Sequence, residues 1–233
     1  MTRIAALFCA VVAIAAGAYF IMTPAKPGST VLDGFVSAAS AQSGEEVDTS
    51  GIVEMTLGAE DAPVTMIEYA SYTCPHCAAF HNGPFKQLKE DYIDTGKVKF
   101  IYREVYFDKY GLWASMIARC GGESKFFGIT DLIFKGQSEW VRAGGEAQIA
   151  DELRKIARLA GIDNADLDAC MNDSEKAQTL VAWFQKNAEA DDVTATPSFI
   201  IDGEPVCDDC LAPSSPTPIA AVVDDAFTMP RPD

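Results

Sequence analysis

Cys74–Pro75–His76–Cys77 stands between a segment written as a strand and one written as a helix, and nothing else in the chain restricts its fold so tightly. Upstream, Pro63 to Ser71 (PVTMIEYAS) is a short β-branched and aromatic run bounded by Pro and Ser, the pattern of a buried strand. Downstream, Phe80, Phe85, Leu88 and Tyr92 recur at helical spacing, with Lys86, Lys89, Glu90 and Asp91 between them. Gly83–Pro84 should kink this amphipathic helix, which ends near Gly96. Lys97 to Phe107 then alternates Val98, Phe100 and Tyr102 as a second strand. The result is a β–α–β unit with a cysteine pair at its first turn. A cysteine at a helix start faces unpaired backbone N–H groups and the positive end of the dipole, which favours its thiolate. Such a pair can hold zinc, lock a fold or carry electrons, and the compartment helps to decide among these.

Arg3 is followed by an uninterrupted apolar or small run from Ile4 to Met22, which predicts export. The run is longer than the ~7–15 residues of a cleavable signal and close to the ~17–25 that span a bilayer. Ala39–Ser40–Ala41, the best cleavage site, lies well past its end. Residues 1–22 are therefore expected to be a signal sequence or a membrane anchor, and Cys9 inside them has no role. Residues 23–50, rich in Pro, Gly, Ser and Ala, read as a flexible linker. The expected location is the periplasm, soluble after cleavage or tethered to the inner membrane by residues 4–22. Residues 51–233 suit one domain with an insertion. The net charge of −16 argues against nucleic acid and against anionic lipid. Six cysteines remain: Cys74, Cys77, Cys120, Cys170, Cys207 and Cys210. An even number in an exported chain points to disulfides. A four-cysteine zinc site from Cys74, Cys77, Cys207 and Cys210 can be drawn, but an oxidising compartment disfavours it, and no metal is expected.

In the second half, Thr196–Pro197 precedes a strand at Ser198–Ile201, and Asp202–Gly203 turns the chain toward Val206 as a hairpin. Between the halves, three apolar stripes recur at helical spacing: Trp113, Met116, Ile117 and Cys120; Ile149, Leu153, Ile156, Ala157 and Ala160; Ala177, Leu180, Val181 and Phe184, with Trp183 flanking. They read as core. Tyr102, Tyr106 and Phe107 read as strand and edge packing, and His81 as a helix-face residue without a partner. Cys120 and Cys170 are expected to face inward and form a structural disulfide. Cys207 and Cys210 are expected to bond to each other without catalysing, because Asp208 and Asp209 oppose a thiolate. Pro213, Pro216 and Pro218 also deny them a helix start.

The stretches VEMTLGAEDAPVTMIEYASYTCPHCAAFH (Val53 to His81) and TPSFIIDGE (Thr196 to Glu204) resemble the DsbA family of exported thiol:disulfide oxidoreductases, within the thioredoxin superfamily. The resemblance implies an α/β, thioredoxin-like fold with a helical domain inserted between the two halves of the sheet. Residues 51–107 would form the first part, 108–188 the insertion, and 189–233 the second part and tail. It further implies Cys74 as nucleophile, Cys77 as resolving cysteine, His76 as thiolate stabiliser within the Cys-Pro-His-Cys centre that Pro75 completes, and Thr196–Pro197 as a substrate-facing cis-proline loop. Glu68 matches the family's buried acidic residue, a candidate proton acceptor. Two features depart from the family pattern: Thr196 stands where many members have an aliphatic residue, and Cys207–Cys210 with its Pro-rich sequel does not match the usual end. The expected activity is introduction of disulfides into folding proteins, without metal or organic cofactor. Reduction or isomerisation by the same centre, and a non-redox chaperone-like binding protein, are the alternatives. Expected partners are unfolded or reduced exported proteins and, by resemblance only, a quinone-coupled DsbB-like membrane protein as oxidant. The chain is expected to be a monomer.

Overall fold

The computed structural model describes residues 47–206 and 219–228. Residues 1–22, most of the linker and the Cys207–Cys210 pair lie outside the described residues. Among those described, no helix is long and apolar enough to cross a membrane. The strands are β1 (Met55–Leu57), β2 (Val64–Ala70), β3 (Val98–Glu104), β4 (Ser198–Ile201) and β5 (Glu204–Val206), forming one sheet in the order β1-β3-β2-β4-β5. β2 and β3 pair in parallel, and every other pairing is antiparallel. β2 lies at the centre with helices against it, which is why VTMIEYA carries no exposed position.

The parallel β2–β3 pair needs a crossover, supplied by α1 (Pro75–Asn82), α2 (Pro84–Leu88) and a π-helical turn at Lys89–Ile93. Gly83 separates the two helices, and Pro84 opens the second at a position where its missing N–H costs nothing. Gly58, after β1, has φ +93, and a Cβ there would lie 2.4 Å from the Val98 carbonyl oxygen, so the strand can pass only as glycine. Asp202 (φ 50) and Gly203 (φ 86) make the left-handed turn that joins β4 to β5. The Asp202 side chain also accepts from Thr65 N at 2.8 Å, fixing that turn to β2.

Between β3 and β4 lie six helices: α3 (Lys109–Cys120), α4 (Gly122–Lys135), α5 (Gln137–Trp140), α6 (Glu146–Leu159), α7 (Asn164–Met171) and α8 (Ser174–Ala190). Ile117 of α3, Phe126, Ile129, Ile133 and Phe134 of α4, and Leu153 of α6 join Met66, Phe100 and Tyr102 of the sheet in one core. The insertion is thus packed as part of the domain. On α8 the flanking Trp183 is buried, whereas Phe184 is only partly so, because the helix turns its Leu180–Trp183 side inward. Phe107 departs from its expected packing role: it follows β3 rather than lying in it and is 49% exposed. A last helix, α9 (Ile219–Ala226), buries Val223 and Ala226, and Tyr92 donates to its Asp224 at 3.0 Å.

One buried ion pair lies where insertion meets sheet. Arg119 of α3 donates to both oxygens of Glu104, at 2.6 and 2.7 Å, and to the Val53 carbonyl at 2.9 Å. Ser115 adds a bond to Glu104 at 3.0 Å, and the guanidinium lies over the rings of Phe126 and Trp183. Cys120 and Cys170 join α3 to α7 as a disulfide, with Cα atoms 6.0 Å apart. Both are half-buried rather than inward-facing, since each stands at the last turn of its helix. The bridge closes a loop of 50 residues. Replacing both cysteines with alanine is expected to lower unfolding free energy in urea by up to ~4 kcal/mol, the chain-entropy value. A loss below ~1 kcal/mol would mean that α3 and α7 stay together in the unfolded chain without it.

Candidate active site

Cys74 is the N-cap residue of α1, with extended backbone angles (φ −78, ψ 120), and Pro75 takes the first helical position. Proline is suited to that position because its φ is already helical and it has no N–H to leave unpaired. Cys74 is half-buried, whereas Cys77, inside the helix, is fully buried, and both are free thiols. The turn before the helix is held from two sides. Thr73 Oγ1 donates to Asp108 Oδ2 at 2.7 Å, while Asp108 Oδ1 caps α3 by accepting from Tyr110 N and Gly111 N. From α5, the Gln137 carboxamide nitrogen donates to the carbonyls of Tyr72 (2.8 Å) and Cys74 (2.7 Å).

The loop before β4 faces the cysteines. The Thr196–Pro197 peptide is cis, and the Cys74 thiol donates to the Thr196 carbonyl at 3.3 Å. Thus the two sequence-distant segments quoted above meet at Cys74. The hydrogen bond from the Cys77 thiol pulls the Cys74 pKa down to about 5, and burial opposes this only in part. The backbone N–H groups of Cys77 and His76 pull the same way. Burial pushes the Cys77 thiol far above the ordinary thiol range, and the Cys74 and Glu68 charges push it further. One sulfur is therefore a stable thiolate at neutral pH and its neighbour a proton-bound thiol. The His76 side chain is exposed, and its contribution to Cys74 comes from the backbone N–H.

Glu68 is fully buried in β2, and its Oε2 lies 2.9 Å from His81 Nε2. His81 is thus not a partnerless helix-face residue: it is 4% exposed and its ring stacks on Phe134. The reason is helical geometry, since His81 lies four residues after Cys77 and shares its inward face. Sequence reasoning also passed over Asp108 and Gln137. Asp108 carried a signal, an acidic residue directly before a helical stripe. Gln137 carried none, because a glutamine in a short helix gives no sign of its targets.

A thioredoxin family model, Thioredoxin_4, matches residues 50–225. A Rickettsia bellii protein named "Putative protein-disulfide oxidoreductase" is 35% identical over 151 residues, covering 64% of this chain and 57% of the relative. Disulfide bond formation protein D of Bacillus subtilis is 31% identical over 135 residues, covering 53% of this chain and 60% of the relative. The match thus spans somewhat more than half the length of these curated relatives. The crystal structure of alpha-DsbA1 from Wolbachia pipientis superposes with a TM-score of 0.65 at 27% identity, covering 75% of this chain and 91% of that one. The chain belongs to the thioredoxin family, among its DsbA-like members.

Proposed function

We propose that the protein is an exported thiol:disulfide oxidoreductase that introduces disulfide bonds into reduced proteins through Cys74 and Cys77. The observation that carries this reading is a half-buried Cys74 at the start of α1, 3.3 Å from the Thr196 carbonyl of the cis-proline loop, with Cys77 fully buried one turn on. A substrate thiolate attacks Cys74 Sγ of the Cys74–Cys77 disulfide, and Cys77 leaves as a thiolate that takes up a proton. A second substrate thiolate then attacks the substrate sulfur of the mixed disulfide. Cys74 leaves, the substrate departs oxidised, and the protein keeps two electrons as its dithiol. Cys74 is a fast leaving group because its thiolate is stable at neutral pH.

In this reading Pro75 sets the helix start and the backbone N–H of His76 supports the thiolate. The Thr196–Pro197 loop presents its backbone to the substrate chain, and Glu68 serves as proton acceptor for Cys77. The family supports substrates among reduced exported proteins, a periplasmic location, and reoxidation by a quinone-coupled DsbB-like membrane protein. No cofactor enters the exchange.

The test mixes the oxidised protein with a reduced peptide containing two cysteines and measures the reduction potential of the pair against glutathione. We expect stoichiometric peptide oxidation and a potential more oxidising than about −180 mV, toward the ~−120 mV of the strongly oxidising DsbA type. Cys74→Ser should abolish the transfer. A potential near thioredoxin's, about −270 mV, would overturn the oxidase reading in favour of a reductase or isomerase. Retained activity in the serine variant would remove the redox reading altogether.

A further inference from the structure

Glu68 sits in the middle of β2, in register with Tyr102 on one side and Phe199 on the other. One of its oxygens meets His81, while Oε1 is buried with no hydrogen-bond partner among the described residues. The imidazole is enclosed by rings: Phe134 with centroids at 4.3 Å, Phe85 at 4.6 Å, and Phe80 and Tyr102 both at 5.6 Å. The titratable groups that face the pair are Cys77 on α1 and Tyr102 on β3, and Tyr102 in turn lies beside Tyr72 and Glu104. α4 and β4 contribute Phe134 and Phe199, which do not ionise. Arg119 is held by both oxygens of Glu104. The Glu68 carboxylate therefore has His81 as its partner, and the group its charge acts on is Cys77.

We propose that Glu68 and His81 work as one proton-sharing pair that takes the Cys77 proton and returns it, with His81 as the positioning residue. This deepens the exchange reaction proposed above and rests on it. A carboxyl alone among apolar rings keeps its proton and cannot accept another. An imidazole donor at 2.9 Å makes the carboxylate available while leaving Oε1 free. When glutathione disulfide reoxidises the protein, Cys74 thiolate attacks one of its sulfurs and one glutathione leaves as thiolate. The Cys77 thiol then gives its proton to the pair, and its sulfur attacks Cys74 Sγ. The mixed disulfide breaks and the second glutathione leaves. Two protein thiols become one disulfide, glutathione disulfide becomes two glutathiones protonated from water, and the pair passes its proton to solvent. In the substrate-oxidising direction, Cys77 leaves as thiolate and takes the proton back.

The test follows both steps in the reduced, full-length protein by acid quenching and mass spectrometry. In His81→Phe, which keeps a ring of similar size, the mixed disulfide should accumulate, its resolution slowed on the order of 10–100-fold at neutral pH. Formation of the mixed disulfide should change less than about twofold, since general acid–base help applies only to the Cys77 step. Glu68→Gln should slow the same step, and the double variant should be little slower than either single one. His81→Gln keeps a donor to Glu68, so it should recover part of the rate. His81→Gln and Glu68→Gln carry the test if His81→Phe does not fold. Unchanged resolution, equal slowing of both steps, or additive effects in the double variant would overturn the pair. A wild-type protein that forms no mixed disulfide would overturn the exchange reading itself, a distinct result.

Discussion

Reduced and followed by thiolate absorbance, the protein should lose the Cys74 proton at about pH 5. An unfolded cysteine loses its proton near ~8.5. The folded value is depressed, so the stability it contributes to the reduced form is fully present above about pH 8.5. That contribution declines as the pH falls and is gone below about 5. The oxidised form has no such group. Cys77 has the opposite sign, its raised value weakening the reduced fold only above about pH 8.5. The stability of the reduced protein relative to the oxidised one should therefore be greatest near pH 8 and shrink toward pH 4. Each unit corresponds to ~1.36 kcal/mol, but Cys74 is only half-buried, so the change between pH 7 and pH 4 should be ~1–2 kcal/mol. Urea denaturation of both forms across this range measures it. A difference that does not vary with pH, or a Cys74 midpoint near 8, would refute the low thiol pKa and leave a reductase as the better reading.

A larger loss is expected at Arg119, away from the cysteines. Glu104 is fully buried and receives three hydrogen bonds, two of them from Arg119. Arg119→Met would leave a carboxylate in the core with only Ser115 to answer it. Removing one partner of a buried pair destabilises by about 3–5 kcal/mol. Arg119→Met combined with Glu104→Leu should recover much of that, because two apolar side chains avoid the desolvation that each ion suffers. Urea denaturation of the oxidised forms decides the matter. A single-variant loss under ~1 kcal/mol would show that Glu104 finds water or a proton in place of Arg119.

The contrast between these two regions explains what could be read from the chain. The β–α–β unit was legible because the period changes from two in Pro63–Ser71 to a helical one after Cys77, and because Gly83–Pro84 punctuates the crossover. The hairpin was legible from Asp202–Gly203, residues that tolerate left-handed angles. The Glu68–His81 pair was not, because its 13-residue separation matches neither a helical nor a strand repeat. It exists only once α1 lies on β2. Glu104–Arg119 is similar, since each residue alone reads as a surface charge. His76 shows another limit: a side chain was expected to act, yet the peptide N–H that any residue would carry is what reaches Cys74. Trp183, which only flanked the stripe, is buried more fully than Phe184 within it, because a stripe gives the spacing of a helix but not the side on which its neighbours stand.

Gln137 bears on how far the catalytic turn can be moved to another protein. Its single carboxamide satisfies two carbonyls of that turn, and it comes from the insertion rather than from the sheet or from α1. A designer who grafts Cys-Pro-His-Cys onto a minimal thioredoxin scaffold would carry over the sulfurs and the helix start, but not this clasp. The Tyr72 carbonyl would be left to water and the Cys74 carbonyl would keep only the Ala78 N–H, so the backbone beneath the nucleophile would be held less firmly. The transplantable unit is therefore the motif together with α5 and the helices that hold α5 in place.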